Sequence, residues 1–364
     1  MLVKVLQIFK KNILVFRKGV SGAMKISKKV LGHLERAYAT AIMDIDDKTH
    51  YFVASEGKGA CLCFSEDSNS PSTVWDFPGG TMNIVPIPGK PNEFFATQNF
   101  FPTFQAQECT LVHAKKNDNN WDVKTIMKIP YLHRFDIFEI GSKLFFIGAT
   151  LCDSKTHKED WSKPGKVYVG ELSEDLTQEI RLTTIIPKIT KNHGFYKGTW
   201  KGKNVFLISG VEGVFVVYIP KNSKGRWDVE KILNHEVSDM ATFDINGDGI
   251  EELATIEPFH GSKGKIYHLS QGKISKIHEH EYEFGHVVWG GKIANKPSLI
   301  IGGRKGSREL ICYTVDPQSG KIKETLIDNT GGPSNISVIN KEDKDILLAA
   351  NREIGEIALY EIKE

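Results

Sequence analysis

Residues 193–233 read HGFYKGTW (193–200), NVFLISG (204–210), GVFVVYI (213–219) and WDVEKIL (227–233). Four short runs rich in β-branched and aromatic residues are separated by Gly, Asn and Lys. The second and third are almost wholly apolar, and the fourth alternates with charged residues. This is the pattern of four strands joined by turns, with the polarity rising toward the last.

The same unit recurs along the chain. It opens as YATAIMDI (38–45), HYFVASEG (50–57), ACLCF (60–64) and STVWDF (72–77), and returns in every later segment. The first strand of each unit starts near Tyr38, Thr81, His133, His193, Ser238, His286 and Ser334, at spacings of 43, 52, 60, 45, 48 and 48 residues. A four-stranded propeller blade repeats about every 40–50 residues. The expected fold is therefore all-β, a seven-bladed β-propeller of four-stranded blades. The seventh unit has only SNISVI (334–339), ILLAAN (346–351) and IALYEI (357–362) before the chain stops. The segment KISKKVL (25–31) precedes the first unit and supplies the missing strand. The ring is then closed by an N-terminal strand, which protects both edges.

One propeller domain over residues 24–364 is expected, preceded by a basic extension over residues 1–23. Residues 1–30 hold eight basic residues and no acid. The remainder has 39 basic against 45 acidic residues, a body of about −6. Such a body lacks the basic face that nucleic acid requires. The apolar runs Leu2–Phe9 and Ile13–Phe16 are split by Lys10-Lys11, so no continuous signal-peptide core is formed, and Met24 is an alternative start. No run of about 20 apolar residues exists, so no stable membrane association is expected. The cysteines number five (Cys61, Cys63, Cys109, Cys152 and Cys312), with no C-x-x-C. They sit inside strand-like runs, which fits a reduced, cytoplasmic compartment.

Residues 244–252, DINGDGIEE, form an Asp-rich turn. Asp244, Asn246, Asp248 and Glu252 stand at loop positions one, three, five and nine, and the carbonyl of Ile250 completes an oxygen cage for a structural Ca²⁺. Thr255 replaces the Glu of an EF-hand, and no helices flank the loop. The alternative is a metal-free Asn-Gly/Asp-Gly turn. The motif resembles the Asp-rich loop of FG-GAP and VCBS-type propeller repeats.

Strand direction sorts the loops. The start of each innermost strand and the end of its neighbour lie on one face; the Asp-rich turn lies on the other. Of the seven starting positions, three are histidine: His133, His193 and His286. They are the candidate catalytic residues, as acid–base groups or as ligands of a divalent transition metal. Tyr38, at the first strand start, and Glu56, Lys58, Asn99, Glu257, His260, Arg304, Asn351 and Arg352, at the ends of the second strands and the following loops, are candidate substrate-binding residues. The insertion LCDSKTHKEDWSKPG (151–165) is long enough to reach the channel mouth.

The blade pattern and the DINGDGIEE loop resemble the propeller domains of sugar β-eliminating enzymes, namely polysaccharide and oligosaccharide lyases and the aldos-2-ulose dehydratase type. That resemblance implies a lyase or dehydratase acting by β-elimination on a small, anionic sugar or sugar acid. It brings no catalytic motif, so it assigns no residue roles. The alternative is a non-catalytic propeller that binds a glycan or a protein. The seven channel-mouth positions are not filled alike from blade to blade, which favours one asymmetric axial site over one pocket per blade.

Overall fold

The computed structural model describes residues 24–364 apart from positions 69, 103, 104 and 119, so the basic extension lies outside the described residues. The described residues form seven four-stranded antiparallel sheets and no α-helix. The innermost strands are Ala37–Ile45, Ile84–Pro86, Leu132–Ile140, Phe195–Trp200, Asp239–Phe243, Glu283–Ile293 and Asn335–Asn340. Each touches the innermost strands of both flanking blades, and the series of contacts closes on itself. This is the seven-bladed propeller expected from the repeat.

Burial follows the polarity gradient within each unit. The second strands Glu252–Glu257 and Asp345–Asn351 are buried at every position, whereas the outermost strand Lys273–Glu281 is mostly exposed. Aromatic residues fill the wedges between blades. Phe52, Phe94 and Trp121 join blades one and two with ring centroids 5.3–5.5 Å apart. Phe138 packs on Phe206 at 4.9 Å between blades three and four. The HEHE run (278–281) lies on the outermost strand Lys273–Glu281.

Closure is by the N-terminus. Strand Lys25–His33 pairs antiparallel with Glu356–Lys363, from Lys25 opposite Lys363 to His33 opposite Glu356. Lys28 ties the seam through Glu356 at 2.7 Å and Asp328 at 3.3 Å. All five cysteines are free and buried. No helix among the described residues is long and apolar enough to cross a membrane.

Blade two departs from the expected strand. The sequence pattern runs from Thr81, but the ladder holds only Ile84–Pro86. The hydroxyl of Thr97 accepts from the Met82 and Asn83 amides at 2.7 and 3.3 Å, and Pro86 and Pro88 have no amide to donate.

Candidate functional site

Three of the seven starting positions share a backbone device. Pairing skips one residue between Ala37 and Ala39, between Leu132 and Arg134, and between Gly285 and Val287. The skipped residues are Tyr38, His133 and His286. A bulge at the rim of a sheet leaves its extra residue unpaired and re-aims the side chain. Here the three side chains turn into one cavity at the channel mouth, joined by His193 just before its strand.

The cavity has a volume of about 570 Å³. His133, His193, His260 and His286 line it with Tyr38, Phe100 and Phe284. The His193 ring centroid lies 5.0 Å from His133, 4.6 Å from His286 and 4.8 Å from His260. Thus the structure brings together the three histidines singled out in the sequence and adds the fourth. The compact set of donors is His193, His260 and His286, whose ligand atoms lie within 4.8 Å of one another; among the described residues no other such group occurs. His133 stands one step aside. The sequence grouping and this donor set therefore differ by one member.

The local chain explains His260. Its φ is +48°, and its amide donates to Ser238 Oγ at 3.0 Å. Gly261 follows because a Cβ there would lie 2.3 Å from the Glu257 carbonyl. The imidazole is stacked on Phe259 at 4.1 Å and on Phe284 at 4.5 Å.

All four imidazoles are held neutral. Burial first, then the Arg134 charge, pushes His133 well below the ordinary histidine range. Burial and neighbouring rings do the same to His193; burial and Arg304 do it to His286. His260 is pushed down to about 3 by burial, followed by Arg304 and Arg134. His286 Nδ1 lies 2.6 Å from the Ser334 carbonyl, so it carries the proton and Nε2 keeps its lone pair. Neither ring nitrogen of His193 has a partner, and nor does His133 Nδ1.

The cavity wall carries a cationic surplus. Arg36, Lys158, Arg304 and Arg352 line it against one acid, Glu56. Arg352 Nε and Nη2 fork onto Glu56, which is 3% exposed. Glu353 lies 2.8 Å from Arg304 and 3.2 Å from Arg352. Arg304 stacks over Phe284 at 4.4 Å. Burial, then Arg352, lowers the Arg304 pKa, as expected for two crowded guanidinium groups. Lys158 reaches the wall from the insertion between the second and third strands of blade three. That loop is pinned by Asp160, which accepts from Thr156 and Ser162 at 2.6–3.1 Å, and it packs Trp161 on Phe259 at 6.1 Å.

Tyr38, Glu56, His260, Arg304 and Arg352 thus line the cavity, and the other four substrate-binding candidates do not. Glu257 faces into its own blade, bonded to Thr255, Tyr267 and Lys265 at 2.6–2.9 Å, with His235 at 3.0 Å. Asn351 donates to Glu356 at 2.8 Å and lies under Gly331, where any Cβ would strike it at 2.3 Å. Asn99 is a turn residue at φ +61° bonded to Thr110. Lys58 is exposed, with its ammonium over Phe101 at the rim. Arg36 and Phe284 escaped the sequence reading because they flank the strand starts on which it relied, and Lys158 because the insertion that carries it was read as a whole and not residue by residue. The Asp-rich turn spends its oxygens locally. Asp244 accepts from the Gly247 and Gly249 amides, Asp248 from Ile250, and Glu252 from Ile245 and His268, at 2.7–2.9 Å.

No family model and no curated protein matches the chain. Solved structures do resemble it. A candidate 6-phosphogluconolactonase from Bacteroides fragilis shares 11% identity over 86% of this chain and 93% of that one, with a TM-score of 0.52. Another from Bacteroides uniformis gives 11% identity, 82% and 89% coverage and a TM-score of 0.51. A chain of the mitotic checkpoint complex gives 9% identity, full coverage of both and a TM-score of 0.56. At these identities the likeness establishes the propeller fold and no activity.

Proposed function

We propose that the protein is a carbohydrate-active enzyme that breaks a C–O bond by β-elimination in a small anionic sugar or sugar acid, bound in the histidine cavity. The observation that supports this most is the set of four neutral imidazoles under Arg304 and Arg352. Elimination needs a base for an acidic C–H and fixed positive charge for the enolate that forms. His133, whose Nδ1 is uncommitted, removes the proton beside the carbonyl or carboxylate. The electron pair moves into the enolate facing the two guanidinium groups. As the β C–O bond breaks, the imidazolium returns its proton to the departing oxygen, giving an unsaturated sugar and water or an alcohol.

The donor set His193, His260 and His286 fits a divalent transition metal of the zinc type, with room in its coordination for a substrate oxygen. Such an ion would supply a Lewis acid for the developing negative charge. The aromatic rings around His260 exclude water and keep the imidazole from wandering. The two neighbours described as candidate 6-phosphogluconolactonases set an anionic sugar beside this reading.

The test is solvent-deuterium incorporation and formation of a conjugated product with a panel of uronic acids and ketosugars. His133→Gln should abolish both while retaining metal, and His260→Gln should lose metal. Tight sugar binding with neither exchange nor product in the wild type would identify a recognition propeller and overturn the proposal.

A further inference from the structure

Farther along the same inner strands lies a second chamber of about 480 Å³. Its charged wall is Arg134, Asp136, Lys197 and Asp239. We propose that this chamber is a second ligand site, separate from the histidine cavity, which takes one small oxyanion, a carboxylate or a phosphate, on the guanidinium of Arg134.

Arg134 is 7% exposed. Its N–H groups donate to the Met82 carbonyl at 2.6 Å, the His193 carbonyl at 3.4 Å and the Tyr38 hydroxyl at 3.4 Å. All three acceptors are neutral. A guanidinium has five donors, so two remain beyond these bonds. Among the described residues no carboxylate reaches ion-pair distance of Arg134. A buried charge without a counter-ion is costly, and a protein that keeps one has a use for it.

The chamber's own acids do not fill the role. Asp136 lies 3.8 Å from Lys197 and is pushed up to about 6 by burial. Asp239 takes the Met240 amide at 2.9 Å and is pushed up to about 7 by burial, against the through-space pull of Arg134, with which it makes no ion pair. Asp136, ionised at neutrality, is answered by Lys197, whereas Asp239 is about half protonated there and in that form donates to an anion. The remaining amide and hydroxyl side chains are structural: Asn83 and Asn335 donate to carbonyls of adjacent blades at 2.6 and 2.9 Å, and Tyr196 reaches the Gly290 carbonyl of blade six at 2.9 Å. Recognition therefore falls to Arg134, with Lys197 as the second cation. A bidentate carboxylate or phosphate matches the planar fork of Arg134.

The experiment is calorimetric titration of the metal-stripped full chain with inorganic phosphate and, separately, with glycolate. The phosphate arm reads a phosphoryl ligand, the glycolate arm a sugar-acid type. Arg304→Gln, which alters only the histidine cavity, should leave the affinity within about twofold, whereas Arg134→Met should weaken it about tenfold or more. Lys197→Met should weaken it less, and Lys197→Glu should abolish phosphate binding. Lys197→Glu carries the test if Arg134→Met does not fold. The proposal is overturned if neither anion binds, if Arg304→Gln removes the binding, or if Arg134→Met or Lys197→Glu binds like the wild type.

Discussion

Acid should unfold this protein through its four buried imidazoles, and His133→Gln measures one share of the effect. Each imidazole has a folded-state pKa below its unfolded value; for His260 it is about 3. Between that value and the ordinary 6.5 the unfolded chain binds more protons, so stability falls as pH falls. From pH 7 to pH 5 the loss is about 2 kcal/mol per imidazole, or about 8 kcal/mol for four. Two carboxyls act in the opposite direction. Asp136 and Asp239 are raised by burial to about 6 and about 7. Their folded forms hold protons that the unfolded chain releases, so they stabilise at pH 5 relative to pH 7. Together they return about 4 kcal/mol and leave a net loss of about 4 kcal/mol. That is a large part of the 5–15 kcal/mol typical of a folded domain. The assay is thermal unfolding of metal-stripped protein at pH 7 and pH 5. His133→Gln removes one imidazole's share, so the drop in Tm between the two pH values should shrink by about 3 °C. Any fixed cost of the substitution cancels, because it is present at both pH values. An unchanged drop would mean that His133 titrates alike in folded and unfolded chains, and the argument for a neutral cluster would fail.

Deleting residues 1–23 should leave Tm unchanged, while deleting through Leu31 exposes the edge of Glu356–Lys363 and should cause aggregation, read by light scattering. Asp248→Ala strips the Ile250 amide of its acceptor and should cost about 1 kcal/mol of stability without changing turnover. Calcium titration of both proteins tests the oxygen cage, and loss of turnover in a folded Asp248→Ala protein would refute the separation of the two faces. Asp160→Ala unpins the insertion that carries Lys158 and Trp161, so KM should rise several-fold with kcat nearly kept. An unchanged KM would show that the insertion does not shape the site.

The propeller was readable because its cause is local and repeated. A second strand buried on both faces must be apolar throughout, as in ILLAAN, and an outer strand facing solvent must alternate, as in KISKIHEHE. Seven copies of that gradient leave no other arrangement with a missing last strand and a spare first one. The convergence of His133, His193 and His286 was readable for the same reason, since equivalent positions on a ring face one axis. What was hidden depends on departures from the repeat. In a regular strand successive side chains point to opposite faces, so His133 and Arg134 should diverge. Instead Leu132 and Phe135 pack into the blade core while His133 and Arg134 both face the channel, because the bulge inserts His133 as an extra residue between the paired Leu132 and Arg134. His260 needed a left-handed turn beneath Ser238, a contact between residues 22 positions apart. Glu257 lies away from the cavity for the converse reason. It stands at the end of a second strand, as Glu56 does, but Lys265 and Tyr267 on the adjoining third strand draw it into the blade, whereas the partner of Glu56 is Arg352, from across the ring closure. The channel thus owes its geometry to the repeat and its chemistry to the places where the repeat is broken.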